Sequence, residues 1–126
     1  KWLAVGEAAA ARSFPFPFKL EKISGWARSI VLVPVGRTPE FHDLGRIIEE
    51  KMARLGLAMR DKYTRNPHVT LVYPGKDIEP FSRSIAEVEW EAGELVLVHS
   101  HVGLGCHDIL GRWPLSAVRP QLEMAL

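Results

Sequence analysis

One stretch of this chain, from Thr38 to Gly56, carries apolar residues at helical spacing, and short apolar runs of strand type bracket it on both sides. Phe41, Leu44, Ile48, Met52 and Leu55 recur every three or four residues, which gives a helix one apolar face. Thr38 suits the N-cap, Pro39 the first helical position, and Gly56 stands where a helix end favours glycine. Gly45 weakens the middle by about 1 kcal/mol relative to alanine, so this helix depends on packing its face against something else.

The bracketing runs supply that surface. Ile30 to Val35 is a nearly continuous apolar run, as in a buried strand. Phe16, Phe18 and Leu20 alternate with Pro17 and Lys19, and the proline suggests an edge strand, with Ser24-Gly25 as a turn. Ahead of them, Trp2 to Arg12 is rich in helix formers until Pro15 and Pro17 break the pattern. Downstream, His68 to Tyr73 reads as a strand ended by Pro74-Gly75. Val88 to His99 contains a second long strand, Gly103 and Gly105 mark a turn, and Cys106 to Trp113 pairs back antiparallel. Pro120 argues against one uninterrupted helix from Ser116 to the end. The expected order is helix, two strands, long helix, three strands. That is an α+β fold, a mostly antiparallel sheet packed on helices, with residues 1–126 as a single domain.

Composition removes several classes of function. With 47% hydrophobic and 25% charged residues the chain is globular, not disordered. A net charge of +1 gives no whole-molecule field to choose a partner. The one cysteine, Cys106, forms no intramolecular disulfide, which fits a reducing cytoplasm. No apolar run approaches the ~20 residues that span a bilayer, so a membrane is not an expected partner. Charge does gather locally: Arg54, Arg60, Lys62 and Arg65 cluster ahead of the strand at His68, either as a solvated loop face or as a basic approach to a phosphate.

That strand carries the chemistry. Within Asn66-Pro67-His68-Val69-Thr70-Leu71-Val72-Tyr73, alternation sends His68 and Thr70 to one side, their Cα atoms ~6.6 Å apart, and Val69 and Leu71 into a core. A histidine moves protons near neutral pH, and a threonine hydroxyl donates to a non-bridging phosphate oxygen where negative charge develops. Pro67 stiffens the entry to the strand.

The segment NPHVTLVY resembles the second His-x-Thr motif of the two-histidine phosphoesterase superfamily, in particular the bacterial 2′-5′ RNA ligase, or RNA 2′,3′-cyclic phosphodiesterase, family. The resemblance continues in WEAGELVLVHSHVGLGCHDILGRWPL, through Trp90, Leu95 to Val98, Ser100, Gly103 and Gly111 to Leu115, and runs from about residue 14 to residue 115. It implies a bilobal α+β fold in which two His-x-Thr motifs face across a cleft and open a 2′,3′-cyclic phosphate at an RNA end, or join ends in reverse, with no metal or other cofactor. His68 is then the general base and Thr70 its phosphate partner. Arg65, Tyr73, His101 and His107 are the expected substrate contacts, although many relatives have arginine at Tyr73 and tyrosine near His107. The chain departs from the pattern in one respect. The other threonines, Thr38 and Thr64, follow Gly36 and Lys62, so neither completes a first motif. The expectation is that the partner motif comes from an upstream segment or a second chain, that RNA ends or cyclic nucleotides are the ligands, and that this chain alone turns over weakly or not at all. A non-catalytic module that binds RNA ends or nucleotides is the competing expectation.

Three other groups carry weaker signals. His99, His101, Cys106 and His107 have spacings that a metal such as zinc accepts, but they read first as surface or cleft histidines on a hairpin. Trp26, Trp90, Trp113 and the phenylalanines read as core or packing residues rather than base-stacking platforms. His42, in the first turn of the long helix, reads as solvated.

Overall fold

The computed structural model describes residues 1–57, 66–101, 103 and 105–118. The elements in chain order are α1 (Trp2–Ala11), β1 (Phe16–Ala27), β2 (Ser29–Val33), α2 (Pro39–Arg54), β3 (Val69–Val72), β4 (Ile78–Ala92), β5 (Glu94–His101) and β6 (Cys106–Pro114). The class is α+β, and every strand pair among the described residues is antiparallel. One sheet has the order β3-β2-β1-β4, and β5 and β6 form a separate hairpin.

β1 is longer than its alternating apolar residues suggest, and it is the centre of the larger sheet rather than an edge. Pro17 is tolerated because β2 pairs only with Lys22 to Trp26, so among the described residues the first half of β1 has a strand neighbour on the β4 side alone. Ser24 and Gly25 lie inside the ladder, not in a turn. The chain reverses at Ala27, whose φ of 50° is the left-handed conformation a tight connection needs. Gly25 has no side chain because Phe81 and Ile78 of β4 occupy that space.

β4 begins ten residues before the apolar run at Val88. Its first half is polar and contains Pro80, which hides it from a reading based on hydrophobic alternation. The proline falls at a register irregularity between Gly25 and Ala27 of the partner, and on the sheet's outer strand. Gly93 then separates β4 from β5, so the described residues after α2 hold four strands and not the expected three.

α2 keeps its expected limits. Thr38 is the N-cap residue without a side-chain capping bond. Gly56 closes the helix at φ 73°, where Gly56 N–H donates to Ala53 O (3.1 Å) and Leu57 N–H to Met52 O (2.9 Å), the Schellman pattern. Ile47 and Met52 are its buried residues, so the inward stripe includes a position beside the expected Ile48.

The core gathers Ala10, Phe16, Phe18, Leu20 and Leu115, with Leu32, Phe41, Val69, Ala92, Leu95 and Trp113 packed on it. Every described element contributes a residue. After β6 the chain is tied back by Leu115 N–H to Gly93 O (2.9 Å), Ser116 N–H to Ala10 O (3.1 Å) and Ala117 N–H to Ser13 O (3.1 Å), which seats Leu115 in the core. Residues 119–126, including Pro120, lie outside the described residues. Trp113 holds the hairpin to α1: its ring rests against Gly6, and also against Gly111 of its own strand, where side chains would collide with it. Gly6→Ala is expected to cost about 1–3 kcal/mol by overpacking. Urea unfolding measures this, and an unchanged midpoint would contradict the packing.

Candidate functional site

His68 stands immediately before β3 and is exposed. Its Nδ1 lies 2.7 Å from the backbone carbonyl of Asn66. A carbonyl only accepts, so Nδ1–H is the donor, and the neutral ring keeps its lone pair on Nε2. A short local bond thus fixes both the tautomer and the ring direction. The bend through Pro67, which has no N–H of its own to compete, brings the carbonyl of Asn66 back over the imidazole.

Thr70 lies within β3, opposite Val31 of β2, and is half-buried. Val31 in turn opposes Ser24, and Ser24 opposes Ser82. Directly opposed residues share a face, so Thr70, Val31, Ser24 and Ser82 form one row across the sheet. The two serine hydroxyls are 3.4 Å apart. At ~4.8 Å per strand Ser24 is ~10 Å from Thr70, too far to share one phosphate. Val31 is only 2% exposed, so this row is closed at its middle.

His68 opens instead onto a depression of about 330 Å³, lined by Phe18, Phe41, Asn66, Pro67, His68, Val69 and Trp90. Thr70 is not in that lining. The alternation argument assumed a strand running through both residues, but the ladder begins at Val69 and does not dictate where the histidine ring goes. Val69 packs on the core as expected. Leu71 does not: the register slips between Ile30 and Val31, Leu71 is the extra residue, and it is 52% exposed.

The depression has an aromatic floor. Trp90 stacks on buried Phe18 with ring centroids 5.2 Å apart and 18° between planes, and Phe18 meets Phe41 edge-on at 6.0 Å. Trp90 keeps 42% of its surface exposed, and so is a supported, open aromatic face rather than a core residue. Composition alone could not show this. The register that sets Trp90 directly opposite Phe18 does. A second depression, of about 380 Å³, shares Asn66 and Pro67 with the first and is lined also by His42 and exposed Trp26. His42 is half-buried, packed edge-on against Phe41, rather than solvated.

The remaining expected contacts are scattered. Tyr73 follows β3 and is 72% exposed. Arg65, Arg60 and Lys62 lie outside the described residues, and Arg54 is exposed at the end of α2. His101 pairs with Cys106, and the adjacent Ser100 with His107, so His101 and His107 project from opposite faces of the hairpin and cannot grip one small ligand together. Neither lines the depression beside His68. Cys106 is exposed. Among the described residues no helix is long and apolar enough to cross a membrane.

No protein-family model matches the chain. No curated protein matches it either. The site therefore stands on its geometry. That geometry requires the neutral His68 to carry its proton on Nδ1, and long-range proton–nitrogen correlation spectra should show that tautomer; a dominant Nε2–H form would contradict the bond to Asn66.

Proposed function

We propose that this chain carries the general-base half of a phosphoesterase that opens 2′,3′-cyclic phosphates at RNA ends or on nucleotides, with His68 as base and Thr70 as the phosphate-holding hydroxyl. The observation that carries this reading is the bond from His68 Nδ1–H to the Asn66 carbonyl. It leaves Nε2 as the proton acceptor on an exposed ring two residues before Thr70, which is the arrangement a base for an attacking water needs. The proton removed from water passes to Nε2, and the resulting imidazolium is stabilised by the carbonyl that Nδ1–H already faces. Thr70 Oγ donates to a non-bridging oxygen as charge develops on it.

The aromatic floor supplies what a nucleotide substrate adds to a bare phosphate. Bases on RNA ends are recognised by stacking on exposed rings, and Trp90 offers such a face in the depression that His68 lines. Its volume lies in the range of small-ligand sites. The acid that protonates the leaving oxygen is not supplied by a second His-x-Thr sequence in these 126 residues, and we assign it to a partner motif outside them. The two-histidine phosphoesterase fold, with its second lobe, and a cytoplasmic setting belong to the same proposal. The non-catalytic reading, a module that binds RNA ends or nucleotides, shares the aromatic floor but gives the orientation of His68 no purpose.

Hydrolysis of a 2′,3′-cyclic nucleotide in EDTA tests the choice, using the chain together with a segment that supplies a His-x-Thr motif. His68→Ala should lower turnover by about 10²–10⁴-fold, the usual contribution of a general base. Cyclic-nucleotide binding without turnover, unchanged by His68→Ala, would instead favour the binding module. Separately, Trp90→Ala should weaken cyclic-nucleotide binding roughly five- to a hundredfold, the worth of one stacked base. Titration calorimetry reads this, and unchanged affinity would remove the base from that depression.

A further inference from the structure

On the hairpin, outside the lining of the His68 depression, three side chains converge that the proposed chemistry at His68 and Thr70 does not use, His101 among them although the resemblance implied it as a substrate contact. His99 and His101 are two apart on β5 and so share a face, with ring centroids 4.5 Å apart and 50° between planes. Asp108 of β6 stands directly opposite His99, and its Oδ2 reaches diagonally to His101 Nε2 at 2.6 Å. One ligand atom from each of the three lies within 4.8 Å of the others. We propose that His99, His101 and Asp108 form a binding site for a divalent transition-metal ion of the zinc class, with water completing the coordination.

The donor set selects the ion. Two imidazole nitrogens and one carboxylate oxygen suit zinc and its neighbours, whereas calcium and magnesium require oxygen shells. The distances are compatible. With metal–ligand bonds of ~2.0–2.1 Å, tetrahedral ligand atoms sit ~3.3 Å apart. The widest separation, at most 4.8 Å, closes to that value by up to ~1.5 Å, and the His101–Asp108 pair opens to it from 2.6 Å by ~0.7 Å. The hydrogen bond itself marks the position: an imidazole nitrogen and a carboxylate oxygen that share a proton both point at the place where an ion would replace that proton.

The backbone holds this arrangement before any ion arrives. From Val98 to His101 the pairing with Ile109 to Cys106 is regular, and the turn that closes it has Gly103 at φ 83° and Gly105 at φ 65°, conformations suited to glycine. The cluster is open to solvent, with side-chain exposures of 33% for His101 and 65% for Asp108. Cys106 opposes His101 on the same face, but its sulfur is not among the converging atoms, so we assign three protein ligands.

The test is titration of ZnCl2 into the metal-free full chain by calorimetry, with Co2+ as a spectroscopic probe and histidine ring resonances followed by NMR. The expected result is one Zn2+ per chain, a Co2+ ligand-field band of four-coordinate intensity, and selective movement of the His99 and His101 ring signals. His99→Ala and His101→Ala should each weaken zinc binding tenfold or more, and His107→Ala, on the opposite face, should leave it unchanged. No binding by the wild-type chain, zinc-induced shifts centred on other histidines, or one-to-one binding that survives the folded His99→Ala, His101→Ala double variant would overturn the assignment. The ring resonances of the wild-type protein decide the matter even if a variant fails to fold. None of these readouts depends on phosphoesterase activity.

Discussion

The burial of Phe16, Phe18 and Leu20 on one face of β1 is the contact on which the rest of the molecule depends. These three side chains are almost fully removed from water, and alternate residues Pro17 and Lys19 are not. α1 reaches them through Ala10, the hairpin through Leu95 and Trp113, and the chain beyond β6 through Leu115. Each fully buried side chain of this size is worth about 1.5–3 kcal/mol. The same strand, through Phe18, also supports Trp90, so the floor of the depression beside His68 is an extension of the core.

That continuity gives the site its division of labour. The aromatic floor is held by packing, which is stiff, and Val69 anchors β3 to the same core. His68 is held by one short local hydrogen bond at the end of the strand, which fixes the tautomer while leaving the ring in solvent. Thr70 is held by the ladder itself. In the proposed reading, this combination serves a base that must both face water and point at a substrate. In the phosphoesterase reading, binding a phosphate draws the Thr70 hydroxyl and the His68 ring onto one anion that neither depression now joins.

The sequence made the class of fold legible where patterns were long and consistent. α2 was visible from its apolar spacing and its closing Gly56, and the hairpin from Gly103, Gly105 and the flanking apolar runs. What stayed hidden has specific causes. The first half of β4 is polar and carries Pro80, because it is an outer strand with an irregular register. Ser24-Gly25 looks like a turn, yet the glycine is there to make room for Phe81. Leu71 was expected in the core, but a one-residue slip between β2 and β3 moves it outward, and no periodicity encodes such a slip. At the site, His68 and Thr70 were singled out from Asn66 to Tyr73 taken together with the hairpin sequence that carries the same resemblance, and the structure brings His68 but not Thr70 to the depression beside Trp90. The tautomer, the exposure of Trp90 beside Phe18, and the approach of Asp108 to His101 depend on contacts across strands, which a linear pattern does not carry.

The central claim is that His68 and Thr70 act on one phosphate, and the structure of the chain bound to a nucleoside 2′-phosphate tests it most directly. The account predicts phosphate oxygens within hydrogen-bond distance of both His68 Nε2 and Thr70 Oγ1, with the base against Trp90. A phosphate seated elsewhere, or one that contacts neither side chain, would contradict it.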